Sequence, residues 1–507
     1  MKTPLIYGSR AAHRHSERGV TMVLVALAMV AIIAMAALSI DVITLYLAKQ
    51  EAQRSADAAA LSAAKVISLS GITGDPVDST DNWILICGPD DGTNGLATRV
   101  AKAVANQNWI GGGPVTTPTV TYGPTKNPDC TALTTTGFGV NPIVTVQLTR
   151  SSLPTFFSRI WGKTGNTISA TATAEVFNPS NSGNSGNQIT GTLIPVQPRC
   201  VKPWVVPNQD PLIPSGSPFC SQGGGPCQKI INLTDGSINN KGISFNGTLS
   251  GIIGETFWLA ADCDYTDQRT CSLLHVPPKA NGGSGGRGGQ HVPPMPNLFY
   301  VPGQVGITPV TAVPSCTEGD PFETAIEGCD APTNYTCGLP PGSGGTNAVD
   351  LSRNPEAATL DGVSCLIHQA PGGNIAAPSG QDYLNPFNPV YPVMTPASFP
   401  FQILAGSSSP MVVGGGLANG NPISTSPSIV SLPIYDETDP GATLTSGGTT
   451  NVTFVGFLQV FVNAVDQWGN VSVTVLNVAG CGNGSGGLPG QPQFGNSPVP
   501  VRLITPP

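Results

Sequence analysis

The sequence predicts an α+β protein: a long N-terminal transmembrane helix, then a small α/β module, then a Gly/Pro-rich, disulfide-containing, mainly β C-terminal region. Three observations predict it. Residues 19–40 carry no charge, and neither Gly nor Pro interrupts the stretch from Val20 to Ser70. Strand-type patterns run through 143–148, 167–176 and 451–466 and resume at Asn470, as expected of half-buried strands. Twelve Cys, 62 Gly and 49 Pro accompany only 10% charged residues, and every Cys lies beyond the apolar run. Such a chain is dense in turns, with strands expected to be short.

Residues 1–18 form a basic tail, with Lys2, Arg10, Arg14 and Arg18 against Glu17. Residues 19–70 are the helix. Its twenty-two uncharged residues from Gly19 to Ile40 would span roughly 33 Å, the thickness of a hydrocarbon core. The basic residues before the span predict a cytoplasmic N-terminus, with the bulk of the chain periplasmic or extracellular. A cleaved signal peptide is the alternative, with small residues around Ala36, Ala37 and Ser39 as a cleavage site. The apolar core of such peptides is usually about 7–15 residues, and this run is longer. Beyond Asp41 the helix continues with strong helix formers. Ala52, Ala56, Ala59, Ala60 and Ala63 recur at spacings of three and four, a thin stripe that admits close packing. Periodicity favours packing on the chain's own globular module over packing in an assembly.

Residues 71–178 read as the small exported α/β module, with a helix beginning near Leu96 in LATRVAKAVANQN and strands at 143–148 and 167–176. Between those strands, Phe156, Phe157 and Trp161 form an aromatic cluster suited to core or membrane-proximal packing. A flexible linker occupies 179–190, in and around NPSNSGNSGNQ, by its composition. Residues 191–507 form the Cys-containing, loop-rich, mainly β region, with a second low-complexity loop at 281–290. The strands at 451–466 and from Asn470 flank a turn at 467–470 and read as a hairpin, with PVPVRLIT near the end as a further strand.

The Cys are Cys87, Cys130, Cys200, Cys220, Cys227, Cys263, Cys271, Cys316, Cys329, Cys337, Cys365 and Cys481. An even number on one side of a membrane points to disulfides in an oxidising compartment. Zinc is the competing reading, but the closest spacings are seven and eight residues, not the tight pairs zinc sites favour. The pairing is not readable from the sequence. His275, His291 and His368 are the only His beyond the tail that holds His13 and His15. HExxH and phosphate-loop motifs do not occur, and the Gly-rich strings read as loops rather than as nucleophile elbows or dinucleotide fingerprints. The acids at Asp262, Asp264 and Asp267, and at Asp436, Glu437 and Asp439, lack a calcium-loop pattern and read as solvated. The net charge of −8 and the lack of a basic stretch past the tail argue against a nucleic-acid partner. These features predict no enzyme, no catalytic residue, no cofactor, no metal and no small-molecule substrate.

Arg18 and Gly19 ahead of the run, Asp41 at its end, Tyr46, Gln53, and the string Ala56, Asp57, Ala58, Ala59, Ala60, Leu61 together resemble the N-terminal segment of TadG-like proteins of the Flp/Tad pilus-assembly system. The segment from Ile143 to Val176 resembles the strand, helix and strand that often follow. The resemblance implies a pilin-like N-terminal helix and a non-enzymatic, single-pass component of the bacterial inner membrane. It further implies a role in pilus assembly or anchoring, with the membrane and other pilus-assembly or envelope proteins as partners. A membrane-anchored adhesin binding a surface or glycan is the alternative, and a membrane-tethered hydrolase stands behind it. Prepilin-type processing would place Glu five residues after Gly19, where this chain has Leu24. A von Willebrand-type metal site would need Asp-x-Ser-x-Ser, and Asp350-Leu351-Ser352-Arg353-Asn354 departs from it at the fifth position.

Overall fold

The computed structural model describes residues 16–68, 82–92, 94–131, 133, 142–155, 157, 162, 165–176, 196–198, 201–212, 228–233, 238–239, 251–261, 296–305, 316, 321–328, 348–350, 355–370, 378–385, 402–423, 425–438, 448–480, 493–495 and 501–504. The stretch read from sequence as a linker, 179–190, and the low-complexity loop at 281–290 lie outside them.

Helix α1 (Ser16–Ser68) runs unbroken through the apolar stretch and the Ala-rich stretch, as expected where no Gly or Pro intervenes. Short α2 (Asn82–Cys87) and α3 (Leu96–Gln107) follow, then β1 (Thr116–Tyr122), β2 (Ile143–Leu153) and β3 (Asn166–Val176). These strands pair antiparallel in sequence order. The helix expected between β2 and β3 falls largely on residues 156, 158–161, 163 and 164, which lie outside the described residues.

The inward face of this sheet is built from small and branched residues. Val144, Val146 and Leu148 of β2 point the same way as Ala170, Ala172 and Ala174 of β3, and all are buried. Against them lie the buried Ala48, Ala52, Ala56, Ala59, Ala60, Ala63 and Ala64 of α1. Alanine on both surfaces lets the helix axis approach the sheet closely. The stripe is therefore consumed by the chain's own module, the outcome that periodicity favoured. Helix α3 flanks it with Ala97, Ala101 and Ala105, and Thr98 Oγ1 meets the Tyr122 hydroxyl at 2.7 Å.

The remaining elements are β4 (Val196–Pro198), β5 (Trp204–Pro207), β6 (Thr256–Ala261), β7 (Asn297–Pro302), α4 (Pro321–Glu327), β8 (Ala348–Asp350), α5 (Glu356–Leu366), β9 (Tyr383–Asn385), β10 (Gln402–Leu404), α6 (Pro410–Val413), β11 (Pro422–Ile423), β12 (Ile429–Tyr435), β13 (Thr449–Asn451), β14 (Phe454–Val465), β15 (Val471–Gly480), β16 (Gln493–Gly495) and β17 (Val501–Ile504). Six of these strands close a barrel in the order β12, β14, β15, β6, β7, β5, returning to β12. Its interior is apolar: Leu458, Val460 and Val462 face Val473, Val475, Phe257 and Leu259, with Trp204 and Tyr300 in the same cluster. Closure removes sheet edges. Where β14 outruns β12, side-chain amides take over: Gln369 both donates to the Val465 carbonyl (2.8 Å) and accepts from its N–H (3.0 Å).

The hairpin expected near the C-terminus is β14 and β15. Its turn is held by Asp466, whose Oδ1 accepts from the Trp468 and Asn470 N–H groups at 2.9 Å each. Gly469 takes the left-handed conformation there, with φ 81°, which a β-carbon would disfavour. The run from Asn451 is not one strand, since Thr449–Asn451 forms β13 and pairs with β8 instead. The last expected strand forms as β17, but its neighbour is β3 of the N-terminal module, with Val501 opposite Val176. Arg502 bonds Glu175 at 2.8 Å across that pair. The barrel also meets the far end of α1, where the Asn477 amide donates to the Ser68 carbonyl.

Candidate membrane anchor and assembly segment

From Gly19 to Ala36 no residue of α1 is buried, and the large apolar side chains from Val20 to Met35 stand exposed. A continuous apolar surface of this extent does not belong in water. Among the described residues α1 is the one helix long and apolar enough to cross a bilayer. The chain is a single-pass membrane protein in this sense, anchored by the first half of α1.

The second half is fastened to the module by polar side chains as well as alanines. Strand β17 covers β3 only from Thr173 to Val176. The carbonyls of Ser169 and Thr171, farther along the strand, accept instead from Lys49 Nζ and from Gln53 Nε2 (3.1 Å). Gln53 also donates to Asp57 Oδ1 at 2.8 Å, so the Gln-x-x-x-Asp pair orients the amide that binds the sheet. Glu51 accepts the Gly111 N–H at 2.8 Å. Asp41, the only charge between Gly19 and Ala48, is just 5% exposed, and its carboxylate accepts the Phe157 N–H at 3.2 Å.

The remaining motif positions divide by environment. Ala56, Ala59 and Ala60 are buried, whereas Asp57, Ala58 and Leu61 are half-buried and Tyr46 is exposed. Arg18 lies in α1 with its side chain outside the described residues. Among the described residues a β-carbon at Gly19 would meet no atom within 4 Å, so packing against them places no demand for glycine there. Phe156 and Trp161 of the aromatic cluster fall outside the described residues.

Cys87 bonds Cys130, and Cys316 bonds Cys365. The other eight Cys lie outside the described residues. Cys316, Cys365 and Glu327 lie within 4.8 Å of one another, but the two sulfurs are spent on each other and offer no thiolate to a metal. Asp436 and Glu437 also have protein partners. Lys229 Nζ lies 3.7 and 3.8 Å from them, and Glu437 Oε2 accepts the Asn208 N–H at 3.1 Å. Burial, set against Lys229, raises the Glu437 carboxyl above the usual range. His368 ends α5 in a left-handed conformation (φ 58°), its N–H on the Cys365 carbonyl at 3.2 Å. Burial lowers its imidazole pKa, and Asp382 opposes that shift. Asp262, Asp264, Asp267, Asp439, His275 and His291 lie outside the described residues.

Two buried ionisable groups gave no signal in the sequence. Lys202 is buried and donates to the Ile326 carbonyl at 2.6 Å and to those of Ala325 and Gly328, capping the C-terminal end of α4. Glu255, just before β6, is fully buried, and among the described residues neither of its oxygens meets a hydrogen-bond donor. Burial first, then the buried carboxylate of Asp210, push its pKa well above the usual range. A proton held by Glu255 lets it donate to Asp210. Below about pH 4 the folded and unfolded chains are both protonated here. As pH rises, the unfolded chain releases its proton first and stability falls. Glu255→Gln removes that ionisation, so it is expected to gain stability relative to the unmutated chain as pH climbs to neutrality, by about 1–3 kcal/mol. Urea midpoints across pH check this, and a difference that does not grow with pH rules it out.

Comparison with known proteins fits the division of α1. Residues 19–66 match the Tad family, the Flp pilus-assembly TadE/G-like proteins. The match spans both halves of the helix, the exposed apolar part and the part that packs on the module. No curated protein and no solved structure matches the chain.

Proposed function

We propose that this chain is a non-enzymatic envelope component of a Flp/Tad-type pilus system that works in assembly or anchoring of the pilus. Its N-terminus is cytoplasmic, α1 crosses the inner membrane, and the sheet and barrel stand on the outer side, where they contact other pilus-assembly proteins. One observation carries the reading: the TadE/G-like match coincides with a helix that is apolar and bare for its first half and locked to a folded module for its second. Such a rod holds an exported body at a fixed height above the bilayer. The basic residues before the span and the Cys after it support the orientation, by the positive-inside bias and the chemistry of oxidising compartments.

The test is deletion of the chain in cells that make the pilus, followed by complementation. One complementing form is the full chain, and the other replaces residues 1–40 with a cleaved signal peptide, releasing the exported body. Surface pilus polymer is expected to fall in the deletion, to return with the full chain and to stay low with the released form. Normal polymer with lost attachment would favour the adhesin, and normal polymer with normal attachment would overturn a pilus role.

A further inference from the structure

We propose that the membrane-facing rim of the N-terminal module, built from the backbone at Phe157 after β2 and the loop carrying Trp109, sits in the phospholipid headgroup layer around α1. The proposal rests on α1 being a membrane anchor and adds a second seat for the module. The occupant is the lipid of the same bilayer, because the rim is continuous with the surface that α1 already presents to it.

The depth of the rim follows from the helix. Contact with the module begins at Asp41, and Ala37 one turn before it is also buried while their neighbours stand exposed. Ala37 lies within the uncharged run. Backbone of the loop after β2 reaches this level, since the Phe157 N–H binds the Asp41 carboxylate at 3.2 Å. The exposed apolar surface does not stop there: Val42, Ile43, Tyr46 and Leu47 continue it. From Val20 to Leu47 the helix is roughly 42 Å long, close to the full thickness of a bilayer with its headgroups. Asp41 thus falls near the hydrocarbon boundary, where an unpaired carboxylate is costly, and the loop supplies it with a donor.

The second loop meets α1 just above. Gly111 packs so tightly on Leu153 that a β-carbon would lie 2.4 Å from Leu153 Cδ2, and 3.5 Å from the Ala48 Cβ. Two residues earlier stands Trp109, 67% exposed. Tyr46, 63% exposed, projects from α1 half a turn below Ala48. Tyr and Trp at this level are the side chains that favour the headgroup region, with an apolar body and a polar edge.

The experiment places the full chain in liposomes of phosphatidylethanolamine and phosphatidylglycerol doped with nitroxide-labelled phosphatidylcholine. The emission of Trp109 is isolated as the difference between the unmutated chain and Trp109→Phe, a change at an exposed position that leaves the fold intact. The expected result is strong quenching of that difference by a headgroup nitroxide, weaker quenching by a mid-chain one, and protection from aqueous acrylamide. Flotation with the liposomes but acrylamide quenching without nitroxide quenching would overturn the rim alone. Failure to float would overturn the anchor reading and the rim with it.

Discussion

Replacing Cys87 and Cys130 together with alanine is expected to lower the stability of the folded region by about 4 kcal/mol. The bond closes a separation of 43 residues, and the chain entropy released to the unfolded state sets that scale. Both Cys are fully buried, and the Cys130 N–H also donates to the Cys87 carbonyl at 2.9 Å. The bond therefore joins the end of α2 to the turn region after β1. Urea unfolding of the full chain in detergent, followed by circular dichroism, checks the loss. Full reduction of the unmutated chain should cost at least as much, since it also opens the Cys316–Cys365 bond, of separation 49. If the double variant and the oxidised chain unfold at the same midpoint, the bond does not stabilise the fold.

What the sequence shows and hides in this molecule follows from the range of each interaction. Helix α1 was legible because its determinants are local: an uncharged run, an alanine periodicity and no Gly or Pro. Strands β2, β3, β14 and β15 were legible for the same reason, each with its own pattern, and β14 and β15 through the Asp466-to-Asn470 turn as well. The barrel was not. It is closed by four-residue and six-residue strands, Trp204–Pro207, Thr256–Ala261 and Asn297–Pro302, that are too short for a period to emerge. Their partners lie far away in sequence, as when Phe257 pairs with Val473. The return of Val501–Ile504 to β3 is the same kind of event. At the candidate site, Gln53 and Asp57 could be seen to lie one turn apart, but the Thr171 carbonyl they serve could not. Glu255 stands in Gly-Glu-Thr-Phe-Trp with nothing nearby in sequence to mark its burial.

Ala60→Leu is expected to destabilise the module by about 1–3 kcal/mol or more, whereas Ala58→Leu is expected to change it by less than about 0.5 kcal/mol. Both residues belong to the motif string, two positions apart, but only Ala60 lies on the alanine stripe. The structure follows that division: Ala60 is fully buried in the shared core, and Ala58 is half-buried on the helix flank. A leucine at 60 adds three carbons where α1 meets a sheet faced with Ala170, Ala172 and Ala174, and the helix must lift to admit them. Lifting α1 also strains the Gln53 bond to Thr171 and the Lys49 bond to Ser169, so the loss should exceed that of one overpacked contact. Thermal unfolding of the full chain measures stability, and pilus polymer on complemented cells measures function. If Ala60→Leu loses both and Ala58→Leu keeps both, the motif serves to mount the module on its anchor. If Ala58→Leu stays folded yet loses the polymer, the half-buried side of the same string faces a partner. Equal stability for the two variants would mean that the alanine stripe does not pack as placed here.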